Sequence, residues 1–236
     1  MLTAALRALF LWLSNRRWLG RVAMGTPLLR RMPLRFVAGT TLDAAVATVR
    51  ELNATGATAT LDVLGEAVDD RASAERAAQA YVTTIERIAA EGLRSGVSIK
   101  LTQMGLDLGV EPCLEVIAPV VEAGERHGVF IRIDMESSAH TQATLDVVHR
   151  LKADGRQVGA VIQAYLHRSP DDVAGLTAAR IPIRVCKGAY AEPASVAIQE
   201  KAGVTDAFVA LVERLLEADA DPAIASHDHV VIDRVV

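Results

Sequence analysis

The chain has 236 residues, of which 51% are hydrophobic and only 4% aromatic, and its formal net charge is −4 at pH 7. This length is sufficient for one large domain with a core of Ala, Val, Leu and Ile. All 29 acidic residues follow residue 42, and an acidic body argues against nucleic-acid binding. The two cysteines form no CxxC motif, and no HExxH occurs, so nothing indicates a metal site. Two reduced thiols are typical of a cytosolic protein.

Residues 1–42 form a separate, basic and apolar segment, which we predict to be a helical arm. It contains seven arginines and no acidic residue. One helical face carries five apolar side chains, namely Leu2, Leu6, Leu9, Phe10 and Leu13. The apolar stretch is too short to span a bilayer, and it lacks the features of a signal peptide. Two interpretations remain: the helix packs on its own domain, or it contacts anionic lipid at a membrane surface.

From residue 55 onward, predicted strands and helices alternate strictly. Periodicity predicts six strands at residues 58–64, 97–101, 129–135, 158–165, 181–186 and 223–226. It predicts helices at residues 72–91, 112–126, 141–153, 170–179 and 205–218, and a sixth beginning near residue 229. Such alternation is typical of a parallel sheet with right-handed crossovers.

We predict that residues 43–236 form a (β/α)8 TIM barrel with about six of the eight units present. The spacing of about 30 residues per unit fits this fold. An open, doubly wound sheet is the competitor, but no GxGxxG turn follows the first strand. A barrel has to close to remove its edges. The chain is therefore a fragment, or the strand count is wrong, or a partner fills the gap.

Polar residues follow every predicted strand, where sites form in parallel α/β folds. Lys100 lies next to an apolar run and requires a partner, for which Asp134 on the neighbouring strand is the candidate. The pair is either structural, or a carboxylate-binding lysine oriented by Asp134. After the fifth strand, alternation places Arg184 and Lys187 on opposite faces, but Gly188 can relax it and bring both cations to the mouth of a site. These cations indicate an anionic ligand, such as a phosphate, a carboxylate or a reduced cofactor ring.

Five ordered segments at these strand ends resemble the proline dehydrogenase family. They are residues 97–102 (VSIKLT), 133–136 (IDME), 161–166 (VIQAYL), 184–190 (RVCKGAY) and 225–228 (ASHD). The resemblance implies a flavin-dependent (β/α)8 enzyme that binds FAD without a Rossmann domain, in agreement with the missing GxGxxG motif.

The resemblance also implies roles for individual residues. It implies that Lys100 binds the substrate carboxylate, that Asp134 orients Lys100, and that Tyr190 lies beside the substrate. Asp134 and Arg184 would act in catalysis. The cofactor would be bound by Met135, Gln163, Arg184, Val185, Cys186, Lys187, Gly188, Ala189, Ser226 and His227.

The implied reaction is the oxidation of L-proline to Δ1-pyrroline-5-carboxylate by hydride transfer to flavin N5, the first step of proline catabolism. Electrons would then pass to a membrane quinone. The basic arm is compatible with docking on a membrane, so the expected location is cytoplasmic, at the inner face of the cell membrane.

The sequence departs from the family pattern at its end, and two functions other than proline oxidation are open. The family's last helix supplies an Arg-Arg pair and a Glu to the carboxylate site, whereas this sequence ends at Val235-Val236. One lysine would then hold the carboxylate, and we expect weak proline binding. The alternatives are a Schiff-base enzyme of the class I aldolase type that uses Lys187, and a non-catalytic barrel fragment that serves as an interaction module.

Overall fold

A computed structural model describes residues 37–235 of the chain. Most of the predicted basic arm, residues 1–36, lies outside the described residues, so the arm and its boundary at residue 42 stay predictions. The chain divides into two compact units between Thr55 and Gly56. In the first unit, helix α1 (Leu42–Ala54) begins after Thr41, whose side chain accepts a hydrogen bond from the amide of Ala44 (3.3 Å). The sequence patterns did not predict this helix.

The second unit contains one parallel sheet of six strands, and each strand pairs with its neighbour in sequence. The strands are β1 (Ala59–Asp62), β2 (Ser95–Ile99), β3 (Ile131–Ile133), β4 (Val158–Gln163), β5 (Ile183–Cys186) and β6 (Ala223–Ile224). This count confirms the six predicted strands. Because a doubly wound sheet reverses its strand order at a switch point, the uninterrupted order 1 to 6 favours the barrel type.

Six helices of the second unit follow the strands one by one. They are α2 (Arg71–Ala90), α3 (Val110–His127), α4 (Ser138–Ala153), α5 (Ser169–Ala178), α6 (Lys201–Glu217) and α7 (His229–Val235). Local chemistry explains their ends: Asp70 caps α2 by accepting from the amide of Ser73 (2.9 Å), and Gly128 ends α3 with a left-handed φ of 67°. Within residues 37–235, no helix is long and apolar enough to cross a membrane.

The two faces of the sheet have opposite character. On the face toward the helices lie apolar side chains that are at most 2% exposed, including Val97, Ile99, Ile131, Ile133, Ile162 and Val185. The hydrophobic core therefore lies between the sheet and the helices. Burial of each such side chain contributes about 1.5–3 kcal/mol to the stability of the fold. The register places polar or small residues on the inner face, among them Asp62, Ser98, Arg132, Gly159 and Arg184.

A contact across the inner face shows how strongly the sheet curls. The guanidinium of Arg184 on β5 donates a hydrogen bond to the hydroxyl of Thr60 on β1 (3.2 Å). In a flat sheet these strands would be four strand spacings, or about 19 Å, apart. The sheet therefore curves into a half-barrel, and the full eight-unit barrel of the prediction is not seen in residues 37–235. Because all six strands are parallel, their carboxyl ends lie at one edge of the sheet, and the curvature arranges them around the interior of the half-barrel.

Candidate active site

Lys100, directly after β2, is the centre of a charged cluster at this edge. Its ammonium group forms an ion pair with Asp62, the last residue of β1, and lies 3.9 Å from the carboxylate of Asp134. The expected neighbour Asp134 is therefore present, but Asp62 is the closer partner. The sequence argument missed Asp62, although its position in the alternating pattern of β1 places it on the same face as Ser98.

The protonation of this cluster follows from its environment. Partial burial on its own lowers the pKa of Lys100, but the hydrogen bond and charge of Asp62, aided by Asp134, more than offset this and raise it. Burial raises the pKa of Asp134, an effect that the hydroxyl of Ser98 (2.5 Å) and the charge of Lys100 only partly oppose. Lys100 is therefore a held, protonated cation at neutral pH.

The ends of β2, β3 and β4 are joined by a buried network around Glu136. Its carboxylate accepts hydrogen bonds from the amide (3.0 Å) and hydroxyl (2.7 Å) of Thr102. The side-chain amide of Gln163 donates to the backbone carbonyl of Glu136 (2.7 Å), which fixes Gln163 at the end of β4. The neighbouring Met135 is also buried, at 7% exposure. This network gives the predicted cofactor residues Met135 and Gln163 a rigid support that the sequence argument did not anticipate.

The two cations of β5 and its following loop make contacts in different directions. Arg184 reaches Thr60 on the inner face, whereas Lys187 pairs with Asp228 (2.5 Å) and lies 3.5 Å from the hydroxyl of Thr205 on α6. The two side chains therefore do not share one set of partners, although Gly188 follows them as the sequence argument required. Lys187 forms an ion pair, whereas Arg184 has a hydrogen bond to Thr60 but no ion-pair partner among residues 37–235.

Two arginines, Arg184 on β5 and Arg132 on β3, share the inner face of the sheet, and the charge of Asp134 acts on both. No carboxylate of residues 37–235 lies within ion-pair distance of Arg184 or of Arg132 on β3. Burial and the nearby charge of Arg184 lower the pKa of Arg132 to about 10. Cys186 shares this face, and burial raises the pKa of its thiol to about 11. Val185, by contrast, is fully buried in the core, so only its backbone lies near the site.

The loop after β5 is shaped by Gly188. Its φ of 113° is rarely adopted by other residues, and a Cβ atom here would lie 2.2 Å from the ring of Tyr165. The loop therefore passes directly over Tyr165, and it presents Ala189 and Tyr190 at the surface, where Tyr190 is 41% exposed.

Glu192 ties the same loop to the start of α4. Its carboxylate accepts from the amide (2.7 Å) and the hydroxyl (2.5 Å) of Ser138. These hydrogen bonds lower the pKa of Glu192. Nothing in the sequence argument singled out Glu192, because the contact joins residues 54 positions apart.

The last strand end contributes through Asp228. Ser226 accepts a hydrogen bond from the amide of Asp228 (3.1 Å), and His227 is exposed. Asp228 in turn holds Lys187. The strand-end segment 226–228 is thus positioned beside the loop after β5, as the order of the strands requires. Among the described residues, no group of His, Cys, Asp and Glu side chains has the arrangement of a metal site.

Two kinds of chemistry meet at this edge. At the ends of β1 to β3, a protonated lysine between two carboxylates is suited to bind a small zwitterion. On the inner face of β5, Arg184 has no ion-pair partner among residues 37–235 and is suited to stabilise a group that gains negative charge.

Comparison with known proteins agrees with this geometry. Residues 45–234 match the family model described as proline dehydrogenase. Proline dehydrogenase 1 of Bacillus subtilis is 37% identical over 229 residues, which cover 96% of this chain and 75% of that protein. The proline dehydrogenase of Deinococcus radiodurans is 37% identical over 210 residues, covering 85% of this chain and 66% of that protein.

A solved structure supports the fold. Proline utilization A (PutA) from Bdellovibrio bacteriovorus, inactivated by N-propargylglycine, superposes with a TM-score of 0.81 at 24% identity. The match covers 88% of this chain and 26% of that one. The family match and the identity to complete relatives together lead to one conclusion: this chain belongs to the proline dehydrogenase family.

Proposed function

We propose that this chain oxidises L-proline to Δ1-pyrroline-5-carboxylate with FAD as its cofactor. Membership of the family supports the substrate and the reaction. The observation that carries the proposal is Lys100, which is held protonated by Asp62 and Asp134 at the carboxyl edge of the sheet. A protonated, oriented lysine is a natural partner for the carboxylate of an amino acid.

The described residues fit a flavin in two respects. Arg184 offers a positive charge without an ion-pair partner within residues 37–235, and Gln163 is fixed at the end of β4 by the hydrogen bond from its side-chain amide to the carbonyl of Glu136. We propose that the cofactor is held by Met135, Gln163, Ser226, His227 and residues 184–189, with Val185 contributing its backbone only. When bound, FAD supplies the hydride acceptor for the reaction.

The residues of the chain divide the work of catalysis between them. Lys100 binds the proline carboxylate, and Asp62 and Asp134 keep its ammonium charged and directed. Arg184 stabilises the negative charge that develops on the electron-accepting ring. Tyr190 lies in the loop after β5, tied down through Glu192 and Ser138, and borders the substrate.

Two further proposals concern the wider protein. The six strands are consecutive units of the eight-stranded barrel of this family, supported by their order and by the inward curl that joins Arg184 to Thr60. The electrons pass to a membrane quinone, and the basic, apolar residues 1–42 dock on the inner face of the cell membrane. Their composition, with seven arginines and no acidic residue, supports this attachment.

The Schiff-base alternative receives no support from the contacts of its lysine. The side-chain nitrogen of Lys187 is already engaged by Asp228 and is therefore not free to attack a carbonyl compound.

The absorption spectrum of the purified protein tests the proposal. We expect a flavin band that bleaches when L-proline is added and stays unchanged with D-alanine. A colourless protein that gains no band after incubation with FAD would contradict the proposal. Trapping of a carbonyl compound on Lys187 by borohydride would favour the aldolase instead.

A further inference from the structure

Tyr81 in α2 connects the hydrophobic core to the charged cluster. Its side chain is fully buried. The hydroxyl group donates a hydrogen bond to Oδ1 of Asp62 (2.9 Å) and accepts one from the amide of Val63 (3.2 Å). Burial and the charge of Asp62 raise the pKa of Tyr81, so the phenol remains a donor over the working pH range.

The two oxygens of Asp62 have separate partners. Oδ1 accepts from Tyr81, and Oδ2 binds the ammonium of Lys100. The side chain of Asp62 is 30% exposed and lies at the end of a strand, where an unsupported carboxylate would sample several rotamers. Because Tyr81 fixes Oδ1 of Asp62 from the core, Oδ2 has a defined position from which it binds the ammonium of Lys100.

A neighbouring hydroxyl shows that burial alone does not require this arrangement. Thr84, one turn later in α2, is also buried and donates to the backbone carbonyl of Ala80 within its own helix (2.8 Å). The hydroxyl of Tyr81 instead leaves the helix and contacts a charged group of the site. Thr84 is therefore a matched control for the loss of a buried hydroxyl from α2.

We propose that Tyr81 is a positioning residue, which acts through Asp62 to hold Lys100 in place for the carboxylate of the substrate. This inference rests on the proposed function, because it assigns the carboxylate to Lys100. A residue that fixes the partner of a ligand-binding side chain keeps that side chain within the narrow range of positions that binding requires.

The test is a double-mutant cycle in the full chain, with Tyr81→Phe, Asp62→Asn and the double variant, and Thr84→Val as control. Two quantities are measured: the steady-state constants for proline, and the Kd of tetrahydrofuran-2-carboxylate, a ring analogue without the amine, by calorimetry. For Tyr81→Phe we expect KM and Kd to rise about tenfold, as for loss of a hydrogen bond to a charged group, with little change in kcat. In the Asp62→Asn background the same substitution should change both constants much less, because the neutral amide no longer forms an ion pair with Lys100. Thr84→Val should leave both unchanged.

An equal effect of Tyr81→Phe in both backgrounds, or wild-type Kd in Tyr81→Phe, would overturn the inference. If Tyr81→Phe does not fold, 3-fluorotyrosine at position 81 alters the same hydrogen bond while keeping the ring and hydroxyl. The inference then requires Kd to change more in the wild-type background than in Asp62→Asn. If the wild-type protein binds neither proline nor the analogue, the proposed function fails and the inference with it. Wild-type binding without a Tyr81 effect rejects the inference alone.

Discussion

Lys100 pairs with Asp62 on the preceding strand more closely than with Asp134 on the following one. The lysine is thus held from both neighbouring strands at once. Three charges in this arrangement make the ionisation of the lysine depend on its partners. Substitution of Asp62 or Asp134 should therefore change the pH range over which a carboxylate ligand binds.

Replacement of Asp62 by Asn should lower the pKa of Lys100, because burial then acts against a charge that has lost its nearest partner. In the proposed binding mode, the carboxylate of proline or its analogue pairs with the protonated lysine, so with Asp62→Asn the loss of affinity on the alkaline side should begin at a lower pH than in the wild type. In the wild type, the pKa of Lys100 is raised, so the contribution of its charge to binding is complete below the ordinary value of 10.5 and is lost only above it. Calorimetric Kd values between pH 6 and 11 measure the change.

The control for that experiment is Asp206→Asn, which removes an exposed partner of Arg234 on α7. For this variant, the loss of affinity at high pH should coincide with that of the wild type. If Asp62→Asn also loses affinity at the same pH as the wild type, Asp134 is sufficient to keep Lys100 charged.

Gly188→Ala should be strongly destabilising. The added Cβ would overlap the ring of Tyr165, and φ at this position is 113°. Strain of this kind costs about 1–3 kcal/mol, and we also expect the purified protein to retain less flavin. Urea unfolding and the ratio of flavin to protein absorbance measure the two effects.

Gly175→Ala is the matched substitution, since Gly175 lies inside α5 and its Cβ would meet no atom within 4 Å. Here we expect a gain of about 0.4–1 kcal/mol and unchanged flavin content. Equal behaviour of the two variants would show that the loop can move away from Tyr165.

Glu192→Ala should release the loop after β5 from α4, because the amide and hydroxyl of Ser138 lose their acceptor. We expect a loss of about 0.5–2 kcal/mol, as for other helix caps, and faster amide exchange in residues 188–192. In the wild type, the lowered pKa of Glu192 means that the tie persists above pH 4.5 and weakens as the pH falls through the folded-state value. Hydrogen exchange at pH 7 is the measurement.

Glu200→Ala serves as its control. Glu200 precedes α6, and its side chain makes no capping hydrogen bond there. The same exchange rates in both variants would contradict a role for the contact between Glu192 and Ser138.

Arg184→Met should lower the midpoint potential of bound flavin, because a cation near the ring favours the reduced, negatively charged form. Loss of about 1.4 kcal/mol of this stabilisation corresponds to about 30 mV for a two-electron couple. Dye-linked reductive titration gives the potential. The exposed Arg150, paired with Glu111, provides the comparison Arg150→Met, for which the potential should not change. A potential that stays the same in Arg184→Met would place the arginine away from the ring.

The sequence predicted the strands well because their periodicity is local. Each strand boundary agrees within two residues, since alternating burial along residues such as 183–186 reflects the two faces of the sheet. Local patterns also located Lys100 and Asp134 directly after their strands, whereas Arg184 lies within β5.

What could not be predicted are contacts between distant segments. The direction of Lys187 depends on Asp228, 41 residues later, and that of Glu192 on Ser138, 54 residues earlier. Asp62 reads in sequence as the polar side of a half-exposed strand. Only the curl of the sheet, seen in the contact of Arg184 with Thr60, shows that this polar side is the interior of the half-barrel.

The polar inner face has a consequence for how this protein can evolve. Along β3, Ile131 and Ile133 belong to the core, while Arg132 between them faces the interior of the half-barrel. Neighbouring positions on one strand are therefore under different constraints, one set by folding and the other by what the interior binds. A substitution at Arg132 should therefore cost less stability than one at Ile133, which is fully buried in the core. A mutational scan should then show losses of stability at core-facing positions and losses of binding at interior-facing positions, alternating from one residue to the next along each strand.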